Sequence, residues 1–129
     1  MNWLNNYIGI PWVNGGRSID GFDCWGLLWH IYQEYFDLKI ECHPTHDASQ
    51  ISKNKALFMS EKRAWQRVEH PKNGDAVAMA TGRAVHHVGI WLNVDGGMIL
   101  HTMESTGCVL QTIPALQSRG FNLKFFRKS

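Results

Sequence analysis

The sequence predicts an α+β fold, on three observations. Helical apolar spacing is confined to the first half of the chain. Period-two and continuous apolar runs fill the second half. No repeat, linker or low-complexity segment separates the two. Helices followed by a meander of strands indicate α+β. A chain of 129 residues can bury its own core, so residues 1–129 read as a single domain.

The first element is short. Residues 2–8 are partly apolar and fit one or two helical turns, ended by Gly9-Ile10-Pro11 because Pro11 disfavours helix at Ile10. Asn14-Gly15-Gly16-Arg17 is a flexible turn. From Cys24 the apolar residues fall at 24, 27, 28, 31, 32 and 35, one face of a helix that runs to about Phe36. Asp23 before it is a capping residue, able to accept from first-turn N–H groups. Glu41 to His46, with Pro44, reads as a loop, and Asp47 to Met59 as a second helix. Trp65–Val68 alternates as a short strand or extended segment. His70 to Asp75 is a turn cluster.

Strands follow at Ala76–Met79, His87–Leu92, Met98–His101 and Cys108–Thr112, with Leu123–Phe126 closing the sheet. Asp95-Gly96-Gly97 is the hairpin turn between the second and third of these.

Several function classes are excluded. The net charge is +2 with scattered basic residues, which is no nucleic-acid footprint. Three cysteines without repeated spacing argue against a disulfide framework and for free thiols. The first residues lack a basic region and a long apolar core, so no signal peptide or membrane span is expected. The expected location is the cytoplasm, unless the protein leaves by lysis or within a larger particle. Gly15-Gly16 lacks the lysine of a phosphate loop, so no cofactor is implied. Cys42, His43 and His46 are too few for a zinc site, so no metal is expected.

What remains is thiol chemistry. Cys24 would be the first helical residue, where free N–H groups and the helix dipole stabilise a thiolate. If Cys24 forms a thiolate–imidazolium pair, its alkylation should persist well below the pKa of about 8.5 of a free thiol. A lone cysteine is more often a buried structural thiol. A nucleophile needs a base and a group that orients the base. His87 and His101 lie on strands joined by the tight turn, where cross-strand neighbours can meet on one face. Gly89 beside His87 leaves room over that face for a substrate or for the Cys24 helix. His86, His30 and His70 need no role. Ser105 has no base placed by spacing.

The ordered set Gly-Phe-Asp-Cys-Trp-Gly-Leu-Leu, Gly74-Asp75, His87-Val88-Gly89-Ile90-Trp91-Leu92 and Met98-Ile99-Leu100-His101 closely resembles the NlpC-type cell-wall cysteine peptidases. The segment from Pro11 to Gly16 is similar to that family's aromatic–Gly–Gly entry to the site. The match spans roughly residues 7 to 112. The resemblance implies a compact papain-like fold, Cys24 as nucleophile, His87 as general base and His101 as the orienting residue. It implies hydrolysis of an amide in peptidoglycan stem peptides, after D-γ-glutamyl and before a diamino acid. It also implies that Asp23 sits near a substrate amine, a role that competes with simple capping.

Two departures stand out. The family commonly has Tyr where this chain has Trp12, and that Tyr helps hold the oxyanion. It often has Ser where this chain has Trp25. The oxyanion and substrate-binding set therefore reads as Trp12, Asp23 and Trp25, with both indoles expected to crowd the groove. The Cys-Trp-Gly-Leu form resembles phage-encoded members associated with tails, which implies tail proteins as partners. Two other functions use the same residues: a structural tail-assembly protein with little turnover, and an amidase or acyltransferase acting on another substrate.

Overall fold

The computed structural model describes residues 1–40, 65–81 and 84–128. The loop expected at 41–46 and the helix expected at 47–59, with Cys42, His43 and His46, lie outside the described residues. Among them the chain is α+β, with a helix packed on a six-stranded antiparallel sheet.

The N-terminal segment makes one 3-10 turn at Leu4–Asn6. A two-residue hairpin follows, β1 (Arg17–Ser18) against β2 (Gly21–Phe22). Helix α1 spans Cys24–Ile31, and Asp23 is its N-cap, accepting from the Gly26 N–H at 2.7 Å. The expected helix to Phe36 is continuous but loosens into a π-helical turn at Tyr32–Phe36. It ends at Asp37, which adopts a left-handed conformation with φ 51°. Trp25, Leu27, Leu28 and Ile31 of α1 are all buried. Each such side chain contributes about 1.5–3 kcal/mol relative to exposure.

The strands are β3 (Trp65–Val68), β4 (Ala76–Thr81), β5 (Ala84–Leu92), β6 (Met98–Met103), β7 (Gly107–Gln111) and β8 (Asn122–Lys128). Their order in the sheet is β3-β8-β4-β5-β6-β7. The run from β4 to β7 is the expected meander. The last strand is not a closing edge. It returns between β3 and β4. Two features hold it there. Helix α2 (Ile113–Ser118) packs against β8 on its way back. Arg127 of β8 then donates through Nε and Nη2 to the buried Asp75 carboxylate, at 3.0 and 2.7 Å. Asp75 also accepts from the Lys72 N–H at 2.7 Å. The Gly74-Asp75 pair is thus an anchor for the sheet. Helix α2 had a sequence signal that went unread: Thr112 caps it, accepting from the Ala115 N–H at 3.2 Å, with Pro114 in its first turn.

Both faces of the sheet are apolar. On one face Ala76, Ala78, Val88, Ile90, Leu92 and Leu100 pack beneath α1. On the other, Val77, Met79 and Ile99 pack with Leu116, with Trp91, Phe121 and Leu123 around them. The alternation expected for β5 holds, with Val88, Ile90 and Leu92 turned to the α1 core. Between β4 and β5 the register slips: Met79 pairs with His87 and Ala80 with Val85, so His86 is the extra backbone position of a bulge.

Candidate active site

Cys24 is the first residue of α1 and is buried, with 2% of its surface exposed. Gly26, two residues on, explains how the preceding loop reaches it. A methyl group at Gly26 would collide with the Gly16 carbonyl and the Arg17 guanidinium. The loop of Gly15 to Arg17 therefore lies directly on the first turn of the helix.

The Cys24 sulfur accepts from two backbone N–H groups, those of Val88 and Trp25. The Trp25 contact is the expected helix-start donor. The Val88 contact lies where β5 is no longer paired with β6. Trp91 donates its N–H to the Asp75 carbonyl and accepts at its own carbonyl from the Gly74 N–H, both at 2.8 Å. Backbone directions alternate along a strand, so Val88 turns its N–H toward β6. The β5–β6 ladder reaches only to Ile90 opposite Leu100. Val88 lies beyond that last pair. The nucleophile candidate therefore sits against the peptide bond that joins His87 to Val88.

His87 is buried, and its Nε2 lies 2.8 Å from Nδ1 of His101. The rings meet near edge to face, with centroids 5.0 Å apart. Phe121 stacks on the His87 ring. Continuing the β5–β6 register places His101 opposite Gly89. A methyl group at Gly89 would press on Ile99, the Leu100 carbonyl and Cβ of His101. The space that Gly89 leaves is taken by β6, not by a substrate or by α1. It lets the His101 backbone come close enough for its ring to reach diagonally to His87.

His101 is completely buried, and its Nε2 lies 2.6 Å from Oε1 of Gln111 on β7. Burial lowers the proton affinity of His101. The Gln111 contact opposes this, and the Arg119 charge adds to it. Gln111 was not read from the sequence. The signal was present: on a strand at 108–112, Gln111 shares a face with Val109, the position that pairs with His101.

Cys24 departs from expectation. Burial pushes its thiol up to about 12, and the neighbouring Asp23 carboxylate pushes in the same direction. The Val88 and Trp25 N–H groups and Arg17 oppose the shift without reversing it. A helix start does stabilise a thiolate, but desolvation of a fully buried sulfur is the larger effect here.

Asp23 is fully buried and its carboxylate is occupied on both oxygens. Oδ1 accepts from the Gly26 N–H at 2.7 Å and from Arg17 Nη1 at 2.6 Å, and Oδ2 from the Gly15 N–H at 3.1 Å. Capping and loop anchoring account for it. Arg17 was also missed from sequence. It ties the Gly-Gly loop to the helix start, donating to the Gly16 carbonyl at 2.8 Å as well.

The two indoles part company. Trp25 is a core residue, 1% exposed, so its ring is not a wall of an open groove. Its backbone N–H is one of the two donors to the Cys24 sulfur. Trp12 is half-buried, rests on the edge of the same core and bridges to Phe22 through its backbone. His30 bonds to Tyr7 Oη at 2.9 Å, away from Cys24. Among the described residues, no helix is long and apolar enough to cross a membrane.

Comparison with known proteins places this arrangement. Two solved structures share the fold. One is the NlpC/p60 domain of the peptidoglycan hydrolase SagA, 20% identical with a TM-score of 0.61, covering 94% of this chain and 90% of that one. The other is a lipoprotein-like NLP/P60 family protein from Staphylococcus aureus, 20% identical with a TM-score of 0.62. This chain is covered to 97% there but spans only 39% of that longer protein. No curated protein matches the chain. The NlpC/P60 family model matches residues 9–126, which takes in Cys24, both strand histidines and the returning β8. With that match over nearly its whole length, the chain belongs to the NlpC/P60 family.

Proposed function

We propose that this protein is a thiol hydrolase of peptidoglycan stem peptides, with Cys24 as nucleophile, His87 as general base and His101 as its orienting partner. The observation that carries the reading is the Cys24 sulfur held at the His87–Val88 peptide, with His87 in turn bonded to His101. Family membership supports the reaction class.

The chemistry runs by general-base catalysis from a neutral thiol. His87 takes the Cys24 proton as the sulfur attacks the amide carbonyl. The resulting imidazolium supplies the countercharge that the buried sulfur lacks at rest. The tetrahedral oxyanion forms beside the first turn of α1, whose free N–H groups can stabilise it. Collapse breaks the C–N bond, His87 returns the proton to the leaving amine, and a thioester remains. Water, deprotonated by His87, attacks the thioester. A carboxylate is released and the thiol is restored.

The finer assignment is cleavage between D-γ-glutamyl and a diamino acid, with Trp12 beside the oxyanion. A second reading is a tail-assembly protein of a phage with little turnover, and the burial of Cys24 favours it. Mass spectrometry of defined muropeptides incubated with wild type and Cys24→Ala separates the two. The hydrolase reading requires two new fragments with wild type and none with the variant. Equal turnover by both proteins sinks Cys24. Absence of turnover by wild type, with co-purification of tail proteins, favours the second reading. Fragments from a different bond reassign the substrate.

A further inference from the structure

A histidine base works only if the nitrogen facing its partner is unprotonated. Which nitrogen that is depends on the tautomer, and the tautomer depends on what the other nitrogen bonds. In this protein the choice is set two residues away from the base.

The chain of contacts can be followed inward from β7. Gln111 is half-buried, and its Oε1 lies 2.6 Å from Nε2 of His101. A carbonyl oxygen only accepts, so His101 Nε2 carries a proton. The orientation of the amide is itself constrained: Arg119 Nη1 donates to the same oxygen at 3.5 Å, a long contact but one that an amide nitrogen could not accept. His101 has no exposed surface, and its burial favours the neutral ring. A neutral His101 protonated at Nε2 has a lone pair at Nδ1. That atom lies 2.8 Å from His87 Nε2, which must then be the donor. A neutral His87 protonated at Nε2 presents an unprotonated Nδ1.

We propose that Gln111 is a positioning residue, whose side-chain oxygen holds the His101 proton on Nε2 and thereby makes Nδ1 the proton-accepting nitrogen of His87. This rests on the hydrolase reading of Cys24 and His87 given above. Reversing the Gln111 amide would reverse the whole chain. An NH2 group facing His101 Nε2 requires the His101 proton on Nδ1, which would donate to His87 Nε2 and leave His87 protonated at Nδ1, unable to act as a base there. Gln111 touches neither the sulfur nor a reacting atom. It acts only through His101.

The test pairs spectroscopy with kinetics on the full chain. Long-range proton–nitrogen spectra of protein labelled with 15N-histidine report which ring nitrogen of each histidine carries the proton. Wild type is expected to show His87 and His101 both protonated at Nε2. Gln111→Glu keeps an acceptor at the position and should keep both tautomers. Gln111→Met removes the acceptor and should mix the His101 tautomers. On muropeptide substrate Gln111→Met should lower kcat on the order of 10- to 100-fold with KM little changed, the range for losing a group that fixes a histidine tautomer. Gln111→Glu should retain most of the turnover. A wild-type spectrum with His87 protonated at Nδ1 overturns the proposal. So does a Gln111→Met protein with unchanged tautomers and unchanged kcat. If Gln111→Met does not fold, the spectra of wild type and Gln111→Glu decide alone. If wild type cleaves no muropeptide, the hydrolase reading fails while the tautomer spectra still judge Gln111.

Discussion

Nε2 of His87 and Nδ1 of His101 lie 2.8 Å apart, although the strands that carry them stop pairing at Ile90 and Leu100. The contact is diagonal, and it depends on a residue that bears no side chain. Gly89 lets β6 approach where a methyl group would meet Ile99, a backbone carbonyl and Cβ of His101. Gly89→Ala should therefore cost about 1–3 kcal/mol of stability, the usual price of overpacking a tight site. The same change should separate the two rings and lower kcat on muropeptide. Urea denaturation and steady-state kinetics read the two effects. Wild-type kinetics in a folded Gly89→Ala protein would show that the close approach is dispensable.

Asp23 holds the start of α1 and the Gly15–Arg17 loop together. Asp23→Ala removes the N-cap, which alone costs about 1 kcal/mol. It also removes the carboxylate that pairs with Arg17, whose side chain is 11% exposed, so the total should be larger. Asp23→Asn keeps an acceptor for the Gly26 N–H and should lose less. Thermal denaturation of the three proteins checks the ranking. Equal melting temperatures for wild type and Asp23→Asn would leave the ion pair with Arg17 without a measurable part.

Burial pushes the Cys24 thiol up to about 12. Its alkylation by iodoacetamide should be slow at neutral pH and rise continuously with pH, without a plateau at low pH. Peptide mapping by mass spectrometry isolates Cys24 from Cys42 and Cys108. A plateau of reactivity below about pH 7, well under the free-thiol range, would mean that a thiolate–imidazolium pair exists before substrate arrives.

Two histidines bind protons less readily in the folded protein than in the unfolded chain, His101 and the half-buried His30, in both cases through burial. The ordinary value for each is 6.5. Above it both states are unprotonated and stability is complete. As the pH falls below it the unfolded chain takes up more protons, so stability declines. The melting temperature should fall between about pH 7.5 and about pH 5, and His101→Gln should flatten that slope. An unchanged slope in His101→Gln would remove His101 as a source.

The sequence by itself determined the local elements and the residue types of the candidate site. The start of α1 was legible because a cap and a helical apolar stripe are written in consecutive residues. Strand β3 was legible to the residue, and β4 to β7 to within a few, because alternation and turn glycines are also local. Cys24, His87 and His101 could be named because their order along the chain is that of a known family. What the tertiary structure alone decided depends on groups far apart in sequence. The last strand lies inside the sheet because Arg127 finds Asp75, 52 residues earlier. Trp25 belongs to the core and not to a groove because it is buried in the cluster that α1 shares with the sheet. Gln111 joins the chain of histidines because β7 pairs with β6 in one register. The upward push on the Cys24 thiol comes from the tertiary structure too: the helix start favours a thiolate, but burial of the sulfur opposes it more strongly.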